Sequence, residues 1–335
     1  MKKKDNLSIK EVAKLSGVSV ATVSRVINNN GRFSEETRKK VLSVIQEYNY
    51  TTNMAAKSLR ISKSKTIGII VPNINNTFFS ELVLEIEKFF FENSYSVFIC
   101  NTNQDKNKEI DYIKSLDSKL VDGIICISSI SVNPMNYIKR NIPIVYINNS
   151  DFDNSFCIEC DHYMGGFLAT EHLLKKGCKN IVLLTNNRDA SAVNHKVKGF
   201  EDAMQKHNIP ILPELILKLE LVEGVFEDCQ KAIYNLIKNN TKFDGIFATN
   251  DLRAHSALVT LQQNNINVPD KVKIIGYDDS YVSKYSNPPI TTILQNKKIL
   301  ALKASNLLLN LMTDKNINSD KKIIIPTELI ERKTT

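Results

Sequence analysis

The feature that most constrains the fold is an alternation, from residue 66 onward, of short β-branched runs with longer helical stretches. This alternation predicts parallel sheets whose strands are joined by right-handed crossover helices. A long predicted helix, Phe167–Lys176, separates two sets of strands and so indicates two similar lobes. The predicted strands are Thr66–Val71, Ser96–Cys100, Gly123–Ile127 and Ile144–Ile147 in the first set, and Asn180–Leu184, Ile216–Leu219, Gly245–Ala248 and Val272–Gly276 in the second.

Hydropathy along the chain argues against a membrane or secreted protein. Apolar runs such as Thr66–Val71 have the length of a strand, whereas a membrane-spanning helix requires about 20 apolar residues. The chain opens on Met1-Lys2-Lys3-Lys4-Asp5, and no apolar signal core follows. We therefore expect a cytoplasmic protein with no membrane partner.

The six cysteines are scattered along the chain, most of them in or beside apolar runs. Cys157 and Cys160 form a CxxC motif with His162 close by, but a zinc site needs a further ligand at a defined spacing and the sequence has no second pair. We interpret the cysteines as small buried hydrophobes in a reducing compartment, and expect neither a metal nor a cofactor.

The positive charge is concentrated in the first fifth of the chain. Residues 1–65 hold 14 lysines and arginines against 5 aspartates and glutamates, a formal charge of +9, whereas the whole chain carries +8. The remaining 270 residues are therefore close to neutral, at −1. A basic segment on a neutral body is typical of a nucleic-acid-binding headpiece.

The same basic segment carries the pattern of three short helices. The first opens with a potential capping box at Ser8 and Glu11 and ends at Gly17, which tolerates a left-handed turn. The second runs from Val20 to about Asn28. The predicted core face of the third is Val41, Leu42, Ile45 and Tyr48.

Two short helices joined by a tight turn, with a third completing the core, form a helix-turn-helix, whose second helix lies in the major groove of DNA. There the methyl groups of Ala21 and Thr22 can meet thymine and Arg25 can donate to guanine. Hydroxyl groups at the helix starts are better placed for phosphate. The predicted DNA-binding residues of this segment are Ser8, Ser19, Val20, Ala21, Thr22, Ser24, Arg25, Asn28, Arg32 and Tyr50.

The segment resembles the headpiece of the lactose-repressor (LacI/GalR) family. The resemblance rests on VAKLSGVSVATVSRVIN, and continues through TIGIIVPNINNTFFSELV to IIGYDDSYVSKYSNPPITTI, over nearly the whole chain. It implies a dimeric DNA-binding transcriptional repressor, which reads a pseudo-palindromic double-stranded operator and responds to a small effector, a sugar first among the candidates. The implied fold is α/β: an all-α headpiece joined to a two-lobed, periplasmic-binding-protein-like domain of doubly wound parallel sheets.

The resemblance also implies domain boundaries, with the chain crossing three times between the lobes. The headpiece is expected over residues 1–60 and the effector-binding and dimerisation domain over residues 61–335. The expected N-lobe is about 65–164 plus 296–322, and the expected C-lobe is about 165–293 plus 323–335.

In this family a hinge follows the third helix, here at about residues 53–60. The resemblance implies that Leu59 is an apolar wedge between minor-groove base steps, that Lys57 follows the DNA backbone, and that Asn53 belongs to the DNA-binding set. A proline usually precedes the hinge asparagine, and Thr52 stands in that place. Since proline presets the backbone angle, we expect a looser hinge.

Hydrogen-bonding side chains follow the predicted strands of both lobes. Because ligands of open parallel sheets bind beyond the carboxyl ends of the strands, these side chains are expected to converge on one cleft. Asparagine and aspartate also form turns, which accounts for any single position better than for the whole set. The set is Asn73, Asn101, Thr102, Asn103, Ser128, Ser129, Asn148, Asn149, Thr185, Asn186, Asn187, Thr249, Asn250, Asp251, Tyr277, Asp278 and Asp279.

Position by position, the resemblance implies an effector site within this cleft. Two phenylalanines stack on the ligand while Asn250 and Asp278 take its hydroxyls or ring nitrogens. Lys196 departs from the usual arginine and cannot make a planar bidentate fork. Asn148-Asn149 stands where the family usually has an acidic-basic pair, so a ligand unusual for the family is allowed. The predicted effector-binding residues are Phe79, Ser128, Asp161, Lys196, Phe226, Asn250 and Asp278.

Three alternatives remain. An enzyme is disfavoured because the sequence has no phosphate loop, no GxGxxG, no GxSxG and no HExxH. A transport binding protein is disfavoured by the basic headpiece and the missing signal peptide. Control by a phosphocarrier protein in place of a free ligand stays open, as do the effector's identity and the operator sequence.

Overall fold

The chain divides into two compact units, Met1–Ser64 and Lys65–Thr335. The computed structural model describes residues 7–50, 63–127, 132–149, 152, 155–187, 191–219, 225–313 and 320–335. Among these residues no helix combines the length and the apolar character that crossing a bilayer requires.

The described part of the first unit, residues 7–50, consists of helices joined by turns. Its helices are α1 (Ile9–Ser16), α2 (Val20–Ile27) and α3 (Glu35–Glu47). The predicted capping box is present, because the Ser8 side chain accepts from the Glu11 N–H while the Glu11 carboxylate accepts from the Ser8 N–H. Gly17 ends α1 at φ +66°. The buried core of this unit is Val12, Ala13, Val23, Val26 and Val41.

The predicted core face of α3 is wrong at two positions. Val41 is fully buried and Ile45 packs against the core, but Leu42 and Tyr48 expose 43% and 38% of their surfaces. Leu42 lies about 100° around the helix from Val41, and Tyr48 follows the last helical residue as its C-cap. Val44 joins the core instead.

The second unit alternates strands and helices, as the sequence predicts. In chain order its elements are β1 (Thr66–Val71), α4 (Thr77–Glu92), β2 (Ser96–Asn101), α5 (Lys106–Ser118), β3 (Gly123–Ile127), β4 (Ile144–Ile147), β5 (Phe156–Cys160), α6 (His162–Lys175), β6 (Ile181–Asn186), α7 (Ser191–Lys206), β7 (Ile216–Leu219), α8 (Val225–Lys238), β8 (Gly245–Ala248), α9 (Asp251–Gln263), β9 (Lys273–Asp278), α10 (Tyr281–Tyr285), β10 (Thr291–Leu294), α11 (Lys297–Thr313), β11 (Lys322–Ile325) and β12 (Glu328–Ile330).

These strands form two six-stranded sheets, one in each lobe. The first has the order β11-β5-β4-β3-β1-β2, and all its pairs are parallel. The second has the order β12-β10-β9-β8-β6-β7, and β12 alone runs antiparallel to its neighbour. The chain therefore passes between the lobes after β5, after β10 and after β11, which makes three crossings. The α/β fold class with a helical headpiece is confirmed.

Three details of the predicted body differ from the structure. All four residues of β11 pair with β5, so the last crossing lies after Ile325 and not at residue 322. The predicted helix at Phe167 begins five residues earlier, at His162. Strands β5, β10, β11 and β12 were not predicted as strands, because most of them carry polar residues that obscure an apolar run.

Two glycines allow α6 and α7 to approach each other closely. A Cβ atom on Gly166 would lie 2.2 Å from the carbonyl oxygen of Lys196, and one on Gly199 would lie 2.2 Å from that of Tyr163. Both obstacles are backbone atoms, which cannot turn aside as a side chain does. The contact therefore fixes α7, and with it Lys196, against the start of α6.

We predict that Gly199→Ala destabilises the protein. Alanine favours a helix over glycine by about 1 kcal/mol, but the clash with backbone is expected to cost roughly 1–3 kcal/mol and to outweigh it. Urea unfolding of the body measures the difference. Glu201→Ala, at an exposed position of the same helix, is the matched control and should be near neutral. Equal stability of the two variants would contradict the proposed contact.

Candidate functional site

The carboxyl ends of strands from both lobes border one cavity of about 490 Å³. Pro72 and Asn73 follow β1, Thr249 and Asn250 follow β8, and Asp278 ends β9. The convergence expected from the strand-end side chains is therefore present at these positions. Further lining residues are Asn75, Asn76, Phe78, Phe79, Gln104, Asn148, His162, Asn186, Ala192, Val193, Lys196, Val225, Phe226, Glu227, Leu252, Arg253 and Gln295.

The structure brings together five of the seven predicted effector-binding residues. Those that line the cavity are Phe79, Lys196, Phe226, Asn250 and Asp278. Asp161 is not among the lining residues: its carboxylate caps α6 by accepting from the Met164 N–H at 2.8 Å, and the next residue, His162, lines the cavity instead. Ser128 lies outside the described residues.

An amide on the chain's return to the first lobe joins the two lobes across this cavity. The Gln295 side-chain oxygen accepts from Asn148 Nδ2 at 2.9 Å, and its Nε2 donates to Asp278 Oδ1 at 2.6 Å. Asn148 belongs to the first lobe and Asp278 to the second. Gln295 follows β10 directly, so the strand-end rule would have found it had β10 been recognised as a strand.

Lys196 and Asp278 form the charged interior of the cavity. Lys196 Nζ donates to the Thr249 carbonyl at 3.1 Å and lies 3.7 Å from the centre of the Tyr277 ring. Burial lowers the pKa of Lys196 to about 8, and burial raises the pKa of Asp278 to about 7. Each shift is partly opposed by the attraction between the two groups. Perturbed groups of this kind in a cleft mark a candidate binding site.

Two further polar groups of the lining have buried atoms without a hydrogen-bond partner in the part of the chain that the structure describes. His162 Nδ1 lies 3.3 Å from the Tyr277 hydroxyl, but His162 Nε2 has no partner, and burial holds the pKa of this ring well below its usual value. Arg253 Nε and Nη2 likewise have no partner. The sequence analysis missed both residues. An arginine in the first turn of α9, where the helix dipole disfavours a cation, was the available signal.

The predicted DNA-binding face lies on the outside of α2. Val23 and Val26 are buried, while Ala21 and Arg25 are exposed. Ser8 and Ser19 are exposed at the helix starts, where their hydroxyls already act as N-caps. Of the other predicted residues, Asn28 and Arg32 are exposed, whereas Val20, Thr22, Ser24 and Tyr50 are half-buried. Asn53, Lys57 and Leu59 lie outside the described residues.

The CxxC motif is part of the hydrophobic core. Cys157 and Cys160 both lie on β5, and residues three apart on a strand point to opposite faces. Cys157 accordingly packs with one cluster and Cys160 with the other. The two sulfurs cannot share one ion, and the interpretation as buried hydrophobes holds for all six cysteines.

We predict that Asp278 makes stability fall with rising pH. Its folded pKa of about 7 exceeds the ordinary 3.8, so the folded chain holds this proton more tightly than the unfolded chain does. Between about pH 4 and pH 7 the wild type should therefore lose stability relative to Asp278→Asn, as measured by urea unfolding at stepped pH.

Glu171 provides a control of opposite sign. Hydrogen bonds from Lys206 and Lys175 lower its pKa to about 2. The wild type should gain stability relative to Glu171→Gln as the pH rises from about 2 to 4.5. A difference between wild type and Asp278→Asn that does not change with pH would contradict the assigned shift.

Comparison with known proteins agrees with this architecture. The family model described as bacterial regulatory proteins, lacI family, matches residues 8–53, and that of a periplasmic binding protein-like domain matches residues 170–335. The HTH-type transcriptional repressor PurR of Histophilus somni (strain 2336) is 32% identical over 333 residues, 98% of each chain. The sucrose operon repressor of Pediococcus pentosaceus is 34% identical over 325 residues, 96% of this chain and 98% of the relative.

A solved structure gives a similar result for the body. The periplasmic binding protein/LacI transcriptional regulator from Alkaliphilus metalliredigens QYMF, complexed with D-xylulofuranose, is 31% identical with a TM-score of 0.71. It covers 81% of this chain, and the alignment spans 99% of the neighbour. With a headpiece, a two-lobed body and relatives matched over nearly its whole length, the chain belongs to the lacI family of bacterial regulatory proteins and is a DNA-binding, effector-controlled transcriptional repressor.

Proposed function

We propose that two copies of the chain read a pseudo-palindromic operator through the outer face of α2. Ala21 and Arg25 are exposed on that face, close to the helix start that approaches base edges in a helix-turn-helix. The +9 charge of residues 1–65 supplies the attraction to phosphate. In this proposal Asn53, Lys57 and Leu59 contact the minor groove and the DNA backbone, a role that rests on the family resemblance alone. The site of action is then the cytoplasm.

Exposed apolar side chains on the first lobe support pairing of two copies. Leu84 and Phe91 on α4 expose 65% and 74% of their surfaces, and Ile99 on the edge strand β2 exposes 49%. Large apolar residues grouped on one helix and a neighbouring edge strand are typical of an interaction surface. A side-by-side homodimer covers them and presents two headpieces to two half-sites.

We further propose that the cavity binds a sugar-like effector. The observation that carries this proposal is one cavity that combines two half-buried rings, Phe79 and Phe226, with amides, a hydroxyl and the buried Lys196 and Asp278. Rings stack on the apolar face of a sugar while polar groups take its hydroxyls, and the volume is typical of small-molecule sites. The regulator complexed with D-xylulofuranose supports the same ligand class.

The cavity is proposed as a sensor and not as an active site. The relatives named above are transcriptional repressors, and no step of bond breaking is needed to explain the lining. Effector binding instead shifts the balance between lobe arrangements, by as much as its affinity differs between them. Turnover of a bound compound by the purified protein would overturn this part of the proposal.

We predict that Arg25→Ala weakens binding to the specific operator by roughly 10- to 100-fold, because a base contact of this kind contributes about 1–3 kcal/mol. Binding to unrelated DNA should fall much less. Lys39→Ala is the matched control, since it removes one exposed positive charge from α3, outside the proposed reading face. Equal losses on specific and unrelated DNA for Arg25→Ala would contradict a base-reading role.

We predict that Asp278→Ala abolishes the effector response and leaves operator binding nearly intact. A thermal-shift panel of sugars, sugar phosphates and nucleobases identifies the effector, because a ligand of the folded state raises the melting temperature by mass action. Operator release is then titrated with that compound, with Asp202→Asn on the surface of α7 as the control. A normal response of Asp278→Ala would show that the cavity is assigned wrongly, and a panel without ligands would favour a protein co-regulator.

A further inference from the structure

Arg253 is a buried cation that has no counter-ion among the described residues. It exposes 2% of its surface, and neither Nε nor Nη2 has a hydrogen-bond partner. Among the described residues no carboxylate lies within the 4.0 Å of an ion pair with it. Burial of a charge is costly unless the charge is paired, so this arrangement calls for a partner that the described residues do not supply.

The local fold makes this cation still less favourable. Arg253 is the third residue of α9, and its N–H donates to the capping Asn250 Oδ1 at 2.9 Å. The N-terminal turn of a helix carries a partial positive charge, which repels a cation and attracts an anion. Helix terminus and guanidinium therefore favour a negative charge at the same place, on the lining of the cavity.

Two carboxylates near Arg253 already accept hydrogen bonds from other groups. Asp251 Oδ2 accepts from the N–H and the hydroxyl of Ser280, and its Oδ1 accepts from Thr292. Asp278 Oδ1 accepts from Gln295. Glu227 lines the cavity but is exposed to solvent.

We propose that Arg253 forms an oxyanion subsite of the cavity, and that the effector carries a carboxylate or a phosphate beside its hydroxyls. This inference rests on the proposed effector-binding function of the cavity. The planar guanidinium supplies the two-pronged contact to an oxyanion that Lys196, a point charge, cannot make. The chain thus has lysine where the family resemblance expects arginine, and offers a guanidinium from α9 of the same lobe.

The first test is the stability of the ligand-free protein. If Arg253 serves a ligand and not the fold, Arg253→Met, which keeps the length and removes the charge, should melt no lower than the wild type. A clear fall in the melting temperature of this variant would show that the guanidinium supports the fold, and would overturn the subsite.

The second test uses oxyanion probes on the full chain at constant ionic strength. Inorganic phosphate is compared with chloride, and glucose with glucose 6-phosphate and glucuronate, by thermal shift and calorimetry. We expect at least one oxyanion to bind the wild type roughly 10- to 100-fold more tightly than its neutral or chloride counterpart. Arg253→Met should lose that preference, and Arg253→Lys should keep only part of it. A preference for phosphate over glucuronate, or the reverse, identifies the kind of oxyanion.

The control is Arg140→Met, which removes a guanidinium that pairs with Asp117 on the first lobe, outside the cavity. This variant should keep the full preference for the oxyanion. Any binding of anions to the basic headpiece is common to all variants and so does not affect the comparison. No preference for any oxyanion in the wild type, or an equal preference in Arg253→Met, would overturn the inference. Operator binding, and its release by the bound oxyanion, are measured in parallel with the wild type. Oxyanion binding without any effect on operator binding would overturn the proposed effector role of the cavity and leave the oxyanion subsite standing.

Discussion

The geometry of the cleft depends on a pair of hydrogen bonds through one amide. Gln295 accepts from Asn148 of the first lobe and donates to Asp278 of the second, and all three side chains are buried. Because Gln295 stands where the chain leaves β10 for α11, its position is fixed by the fold on both sides. This amide therefore ties the strand end at Asn148 to the strand end at Asp278 across the cavity.

A second set of contacts holds the same lobes together at the edge of the cavity. Lys297 Nζ donates to the carbonyl groups of Asp278 and Asp279 and lies 3.3 Å from Glu81 Oε2. Glu81 also accepts from the Tyr281 N–H at 3.3 Å. A ligand that binds between the lobes alters their equilibrium only through groups that differ between two arrangements, and these interlobe contacts are, with Gln295, the candidates for such groups.

The sequence predicted the fold better than it predicted the site. Alternating strands and helices were enough for the two parallel sheets, because crossover connections allow few alternatives. The same rule found Asn250, which follows the apolar strand β8, and Asp278, which ends β9. It missed Gln295, because Thr291–Leu294 opens on two threonines and was not recognised as a strand. Burial is a property of the packed molecule, so the isolation of the Arg253 guanidinium and of the His162 ring nitrogen could not be read from the sequence.

The cavity concentrates groups that weaken the fold. Burial lowers the pKa of Lys196 and raises the pKa of Asp278, and among the described residues Arg253 has neither an ion pair nor a full set of hydrogen bonds. Apolar side chains of similar size would stabilise the protein more at such positions. Since Lys196, Asp278 and Arg253 all line one cavity, their charges are best explained by a ligand that compensates them. The same compensation couples binding to stability, because the ligand-free cavity retains a cost that only the bound state removes.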